Sequence, residues 1–276
     1  MKPAPFTYHR AETVDDATRL LDDENGFVRA LAGGQSLLPM VNLRLAPVDK
    51  LVDIGRIKAM KQAEEGKDGI RYGALLTHAA FEDRRVPDGS NGLLPFVGSL
   101  IAFRAIRTRG TIGGAIALAD PAADWLTTVI ALEATIHVAG PHGKRAVPAE
   151  QFVVGPYMTD LQTGEIIETI EIPRRPKSER WGHAKVARKV GEYAESMAIA
   201  LHDPQAGTAR VVAGAVDGAP LVLREAARAL AAGKPLDAIA AVTRDEIAGS
   251  ERGFSQTKIH LHSNICLRAI RKLTES

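Results

Sequence analysis

Short β-rich runs alternate along this chain with segments whose apolar residues recur at helical spacing. The β-type runs of the first part occupy residues 27–32, 50–54, 69–75 and 165–173, and the last of them, EIIETIEIP, alternates in the manner of a strand. This alternation predicts a mixed α/β or α+β fold.

Helical patterns fill the intervals between these strands. Thr77 is placed to cap a helix at residues 78–83, and Asp120, followed by Pro121, is placed to cap one within residues 119–134. Spacing alone predicts a helix or turn at 37–45, a helix at 92–107 and a hairpin at 134–148 around Gly140 to Gly143.

Beyond residue 175 the pattern becomes strands followed by helices. The Pro/Arg/Lys-rich segment IPRRPKSER precedes it, and we expect a boundary there that divides the chain into residues 1–175 and 176–276. Strands are predicted at 183–188, 197–203 and 209–223, the last with a hairpin at Asp217-Gly218, and helices at 224–233 and 264–273.

Composition narrows the class of protein. The 276 residues carry 35 basic and 33 acidic side chains, a net charge of +2, which gives no electrostatic reason to expect nucleic acid or a membrane surface as partner. No apolar stretch has the length of a membrane span, and the polar N-terminus does not resemble a signal peptide. Cys266 is the only cysteine, so we expect no disulfide, no cysteine-ligated cluster and a cytoplasmic location.

Two glycine-rich segments at apolar junctions are the strongest candidates for chemistry. They are ALAGGQSLLP at 30–39 and RTRGTIGGAIALADPAADW at 107–125. Backbone N–H groups of such segments, beside hydroxyl groups at a helix start, attract phosphate oxygens, and two converging nests would suit a diphosphate. Either segment alone is explained more simply as a tight turn, because an isolated glycine-rich match is a weak signal, and LAGGQSLLP lacks the spacing of a Rossmann or Walker loop.

Other polar residues have simpler interpretations. Asp124 lies one turn after Asp120 and is placed either to favour the helix start or to bind sugar hydroxyls. His260 and His262 form at most half a metal site, and a solvated strand edge is the expectation for them. Tyr193 follows a glycine at an element junction and is expected in the core or at a hinge, or against a flat cofactor.

Four segments in the same order and spacing resemble one family. AGGQSLLPMVNLRLAPVDKLVDI, IRTRGTIGGAIALADPAADW, EIIETIEIP and HAKVARKVGEYA are similar to the FAD-binding medium subunit of bacterial molybdenum hydroxylases, the xanthine dehydrogenase and carbon monoxide dehydrogenase group. The resemblance implies an α+β chain: a two-subdomain FAD-binding fold of the vanillyl-alcohol oxidase (PCMH) type, divided at about 1–56 and 57–175, and a smaller C-terminal α+β domain.

The resemblance also implies which residues hold FAD. The diphosphate would lie on one loop and the dinucleotide on a second, formed by Thr111, Gly113 and Gly114. The first loop comprises Ala32, Gly33, Gly34, Gln35, Ser36 and Leu37. At the flavin end the resemblance implies Asp124 on the sugar-like chain, Ile167 and Tyr193 beside the flavin, and Lys185 at its carbonyl end, where its charge would favour the anionic reduced form.

An electron-relay function follows from the family. The resemblance implies non-covalent FAD in this chain, two [2Fe-2S] clusters in a small subunit and a molybdopterin cofactor in a large subunit, assembled as a dimer of heterotrimers. Gln35 stands where many relatives have histidine but keeps a hydrogen-bonding group, so diphosphate binding should survive. Ala115 stands where many have asparagine or serine, and we expect the loss of that side chain to lower FAD affinity. A stand-alone flavin-dependent oxidoreductase of the same fold and a flavin-free assembly subunit are the alternatives.

Overall fold

A computed structural model describes residues 2–24 and 26–273 of the chain. The structure begins with a small parallel sheet whose strands are joined by helices. In chain order these elements are β1 (Thr7–Arg10), α1 (Val14–Leu21), β2 (Val28–Leu31), α2 (Leu37–Asn42) and β3 (Lys50–Asp53). The spatial order β1-β3-β2 puts the glycine-rich loop after β2 at the carboxyl edge of this sheet.

A five-stranded antiparallel sheet with helices on it forms the middle of the chain. A 3₁₀ helix (Ala59–Lys61) precedes β4 (Ala63–Glu65), β5 (Gly69–Gly73), α3 (His78–Glu82), α4 (Leu93–Leu100), α5 (Arg104–Arg107), α6 (Ile112–Leu118), α7 (Asp124–Ala131), β6 (Thr135–Gly140), β7 (Gly143–Pro148), α8 (Ala149–Phe152), β8 (Val153–Gly155), β9 (Met158–Thr159) and β10 (Ile166–Pro173). The sheet order is β4-β5-β10-β6-β7, and β8 pairs with β9 alone. The late strand β10 thus lies at the centre of the sheet.

The last part of the chain is a four-stranded antiparallel sheet covered by three helices. It contains β11 (Arg180–Val186), β12 (Ser196–Asp203), β13 (Thr208–Gly214), β14 (Leu221–Val222), α9 (Arg224–Ala231), α10 (Leu236–Ala248) and α11 (Gln256–Lys272). On α11, an apolar stripe that includes Cys266, Ala269 and Ile270 packs against β11 and β12. This packing is close, because a Cβ added to Gly182 would lie 1.9 Å from the carbonyl oxygen of Ala269.

The main hydrophobic core connects the three sheets. It runs from Val52 of the first sheet through α7 and the second sheet to Ile199 and Val212 of the third, and a second cluster fills the space beneath α9, α10 and α11. All eight residues of α7 are buried. No helix within residues 2–24 and 26–273 is long and apolar enough to cross a membrane.

Most predicted elements are confirmed, with differences at particular residues. Thr77 caps α3 by accepting a hydrogen bond from the amide of Ala80. The helix predicted at 92–107 is interrupted between α4 and α5, where Ala102 has a φ of 44°. The helices α1 and α10 were not predicted.

The prediction of Asp120 as a helix N-cap is wrong. Asp120 Oδ1 accepts a hydrogen bond from Ala122 N, and the Asp120 carbonyl accepts one from Ala123 N, so both close a turn ahead of the helix. The helix α7 therefore begins at Asp124, and its N-cap, Ala123, has no side chain that could accept a hydrogen bond.

The expectation of a strand edge for His260 and His262 is also wrong, since both lie on α11. The ring of His262 is 1% exposed, and its Nδ1 lies 2.8 Å from Ser196 Oγ. No group of three potential metal ligands occurs among the described residues.

Candidate functional site

The two glycine-rich segments meet in the folded chain. A Cβ added to Gly33 would lie 2.1 Å from the carbonyl oxygen of Arg109 and 2.9 Å from Cα of Gly110. The backbones of the two segments are therefore in direct contact at this point. The first segment leaves β2 and enters α2 with Gly34 at a φ of 72°, a conformation that glycine adopts without strain. The second segment is held against α3, because Gly110 O accepts a hydrogen bond from His78 N.

A cavity of about 760 Å³ opens beside this junction. Its walls are the first glycine-rich loop, the start of α6, the loop at residues 161–165 and the first residues of β10. This volume lies within the range of pockets that bury an extended small molecule. Ten of the thirteen predicted site residues line it: Ala32, Gly33, Gly34, Gln35, Ser36, Leu37, Thr111, Gly113, Gly114 and Ile167.

The first loop offers a run of neighbouring free amides to this cavity. Among the described residues, no acceptor is bonded to the backbone N–H groups of Gly34, Gln35, Ser36 and Leu37. Gln35 supports the loop itself, because its Nε2 lies 3.2 Å from the Gly33 carbonyl oxygen. Four neighbouring N–H groups without protein partners are the arrangement that receives an anion.

The prediction of a second nest of open amides is wrong. Gly113 N donates to Ala74 O at 2.9 Å, and Gly114 N donates to Thr111 Oγ1 at 3.1 Å. The double glycine instead allows close packing, since a Cβ on Gly113 would lie 2.4 Å from Cβ of Ala74. The second segment therefore supplies a close-fitting surface and the Thr111 hydroxyl, which still has a proton to donate.

The other three predicted residues lie apart from the cavity wall. Asp124, at the first turn of α7, and Lys185, on β11, form a buried ion pair in which Nζ is 2.9 Å from both carboxylate oxygens. Burial raises the pKa of Asp124, and the charge of Lys185 opposes that rise. The two charges compensate each other, so the pair presents a dipole and no net charge.

Tyr193 lies on the loop between β11 and β12 and is 60% exposed, so of the three positions predicted for it, the core is excluded. Its hydroxyl lies near the side chain of Ser36. Tyr193 thus connects the C-terminal part of the chain to the end of the first glycine-rich loop.

Sequence reasoning missed two parts of the cavity. His78 lines it and is 5% exposed, and burial lowers the pKa of this histidine to about 4. The wall at residues 161–165 is fixed by Arg145, which binds Asp160 and Glu165. For His78 the position directly after a helix cap was a usable signal, whereas nothing in the local pattern places residues 161–165 beside the loop after β2.

Comparison with known proteins gives one consistent result. Residues 4–175 match the family described as the FAD binding domain in molybdopterin dehydrogenase. The chain is 32% identical over 279 residues to the carbon monoxide dehydrogenase medium chain of Hydrogenophaga pseudoflava, which covers 98% of this chain and 97% of that protein. It is 34% identical over 222 residues to the nicotine 6-hydroxylase medium subunit of Paenarthrobacter nicotinovorans, with 79% of this chain and 77% of that protein covered.

Solved structures agree with the sequence relatives. The carbon monoxide dehydrogenase of Hydrogenophaga pseudoflava that lacks the Mo-pyranopterin moiety of its molybdenum cofactor contains a chain that superposes with a TM-score of 0.90 at 31% identity. The match covers 100% of this chain and 99% of that one, so it includes the C-terminal sheet and helices as well as residues 4–175.

Proposed function

The chain belongs to the family of FAD-binding domains of molybdopterin dehydrogenases, and from this premise we propose that it binds one FAD non-covalently in the cavity between its two glycine-rich segments. In this function it is the medium, electron-relaying subunit of a molybdenum hydroxylase. The observation that carries the proposal is the direct backbone contact of Gly33 with Arg109 and Gly110 beside four open amides.

The first loop fits the diphosphate of FAD. A diphosphate is an anion with several strong acceptor oxygens, and the amides of residues 34–37 are donors without protein partners. Gly33 lets this loop pack directly against the second loop, and Gly34 takes the φ of 72° by which the loop turns into α2. In the second loop, the Thr111 hydroxyl and the surface of Gly113 and Gly114 would bound the same part of the dinucleotide.

The flavin end would lie toward Ile167, Tyr193 and the Asp124–Lys185 pair. Ile167 is 4% exposed and offers an apolar wall, and Tyr193 offers a ring beside Ser36. Asp124 would accept from a sugar-like hydroxyl, while Lys185 would donate to a flavin carbonyl. Because Asp124 compensates its charge, Lys185 would favour an anionic reduced flavin only where the ammonium faces the ring more closely than the carboxylate does.

When bound, FAD would supply the redox chemistry of this relay, in which electrons from the iron–sulfur clusters of a partner pass to an external acceptor. The protein's own residues bind and orient the cofactor and exclude water from it.

The assembly proposed is a dimer of heterotrimers in the cytoplasm, with one small iron–sulfur subunit and one large molybdopterin subunit per medium subunit. The relatives support part of this, since they are the medium chain of a carbon monoxide dehydrogenase and the medium subunit of a nicotine 6-hydroxylase. Within the chain we propose a boundary near residue 175, after the end of β10 and before β11. The named relatives concern carbon monoxide and nicotine, so the substrate of the complex stays open.

The direct test is reconstitution of the purified chain with FAD. We expect the purified chain to keep a flavin absorbance spectrum after desalting. We also expect this flavin to be reduced when the small iron–sulfur subunit from the same organism is added in its reduced form. A chain that stays colourless after incubation with FAD would support the flavin-free assembly subunit. Turnover of an organic substrate by the isolated chain would support the stand-alone oxidoreductase.

A further inference from the structure

His78 lies at the junction of the two glycine-rich segments. It is the first residue of α3, after the cap Thr77, and its backbone N donates to Gly110 O at 3.0 Å. Its side chain is 5% exposed and lines the cavity proposed for FAD. A Cβ added to Gly110 would lie 2.6 Å from Nε2 of His78, so this ring nitrogen lies against the second loop where that loop meets Gly33.

The tautomer of His78 is determined by Trp125. The indole Nε1 lies 2.9 Å from Nδ1 of His78, and Trp125 is 1% exposed. An indole N–H only donates, so Nδ1 is the acceptor. Burial, with a smaller effect from the charge of Arg107, lowers the pKa of His78 to about 4, so the ring is neutral at pH 7. Its single proton is therefore on Nε2.

This Nε2–H is a donor without a protein acceptor. No hydrogen bond from it is found among the described residues. Among all the residues that the structure describes, the fully buried polar side-chain atoms without a hydrogen-bond partner are Thr127 Oγ1 and His262 Nε2. His78 Nε2 is not one of them, so it is not fully buried, and His78 is one of the residues that line the cavity.

We propose that His78 is an FAD-binding residue whose Nε2–H donates a hydrogen bond to a diphosphate oxygen of the bound dinucleotide. The inference rests on the proposed function. Trp125 holds the ring and its tautomer, and Gly110, lacking a side chain, leaves Nε2 uncovered. No proton is transferred: the imidazole complements the open amides of the first loop with a neutral donor at the junction of the two loops.

Two substitutions separate the roles of the ring nitrogens. His78→Asn keeps an acceptor near Nδ1 for Trp125 but has no group that reaches the position of Nε2. His78→Gln places an amide N–H near Nε2. Hydrogen bonds to charged groups are worth enough that we expect about 10- to 100-fold weaker binding of both FAD and ADP in His78→Asn. Most of the affinity should return in His78→Gln.

His262→Asn is the matched control, because His262 is equally buried but lies on α11 outside the cavity. Its affinity for FAD should equal that of the wild-type chain. Unchanged FAD affinity in His78→Asn would overturn the inference, and so would a loss for FAD without a loss for ADP. Failure of the wild-type chain to bind FAD would overturn the proposed function and this inference with it.

A second measurement avoids substitutions altogether. In the wild-type chain, the His78 Nε2–H resonance can be assigned by NMR through the contact of the ring with the Trp125 indole N–H. Addition of FAD should shift this resonance and slow its exchange with water. An unchanged shift and exchange rate at saturating FAD would contradict the hydrogen bond.

Discussion

At the scale of single residues, the two glycines of the first loop are needed for different reasons. Gly34 has a φ of 72°, whereas Gly33 is needed for space, because an added Cβ would meet the Arg109 carbonyl oxygen at 2.1 Å. That distance is far inside van der Waals contact, so any side chain at position 33 must separate the two loops.

Gly33→Ala should weaken FAD binding by roughly tenfold or more, because the loops that would enclose the diphosphate are forced apart. Gly155→Ala is the matched control: its added Cβ would meet only the side chain of Met158, at 3.5 Å or more. Titration of each variant with FAD, together with a thermal melt, checks this. Equal FAD affinities in the two variants would show that the junction does not bind the cofactor.

The buried pair of Asp124 and Lys185 gives a second expectation at this scale. Lys185→Met leaves a carboxylate that is 7% exposed without its cation, at an expected cost of about 3–5 kcal/mol in the free energy of unfolding. Burial already raises the pKa of Asp124, and removal of Lys185 raises it further. Protonation then relieves the cost, so the difference from wild type should be smaller at pH 5 than at pH 8. Urea unfolding at both values measures it, and a difference that grows toward pH 5 would contradict this explanation.

At the scale of elements, α7 packs between the helices of the middle part of the chain and the C-terminal sheet. All its residues are buried, and it contacts α4 and α6 on one side and β12 and β13 on the other. Its first residue carries the Asp124 carboxylate, so the position of that group is set by packing along the whole helix. One polar atom is left unsatisfied by this burial: Thr127 Oγ1 has no hydrogen-bond partner among the described residues.

Thr127→Val should therefore stabilise the chain by about 1 kcal/mol, because a buried hydroxyl without a partner is replaced by a methyl group. Thr128→Val is the comparison, since Thr128 Oγ1 donates to Asp124 O at 2.8 Å. Loss of that bond should leave stability unchanged or reduced. Denaturant midpoints of both variants give the test, and a destabilised Thr127→Val would mean that contact with Gly214 leaves no room for a methyl group.

At the scale of the whole molecule, neutral histidines are buried in separate places. His78 is at the cavity and His183 is on β11, 5% and 3% exposed, and burial lowers the pKa of each to about 4. As the pH falls, both histidines are protonated in the unfolded chain near pH 6.5, the ordinary histidine pKa, before they are protonated in the folded chain. Stability is thus fully present above about pH 6.5 and declines toward pH 4.

Each of these histidines should lower the free energy of unfolding by about 3 kcal/mol as the pH falls from about 6.5 to about 4. The stability of His183→Asn relative to wild type should accordingly improve as pH falls from 7 to 4.5. Urea unfolding at both pH values measures this improvement. A constant difference would show that His183 takes up its proton equally well in the folded chain.

The local pattern alone predicted a large part of this structure. The strands at 28–31, 50–53, 69–73 and 166–173 and the cap at Thr77 follow from short-range periodicity and hydrogen-bonding chemistry. Asp120 was misplaced as a helix cap because a turn and a helix start use the same residue types, and only the packing of α7 decides between them. The His260 and His262 segment was misread because a short polar stretch with apolar neighbours suits a strand edge as well as a helix.

The sequence by itself determined the glycine-rich segments, the family they belong to and ten of the residues that line the cavity, because those features depend on the order of residue types along the chain. Only the tertiary structure decided which amides stay open. The N–H groups of Gly113 and Gly114 are taken by Ala74 and Thr111, and those of residues 34–37 are not. It also paired Asp124 with Lys185 and brought His78 to the loop junction. Hydrogen bonds between distant segments depend on the path of the backbone, which local residue patterns do not encode.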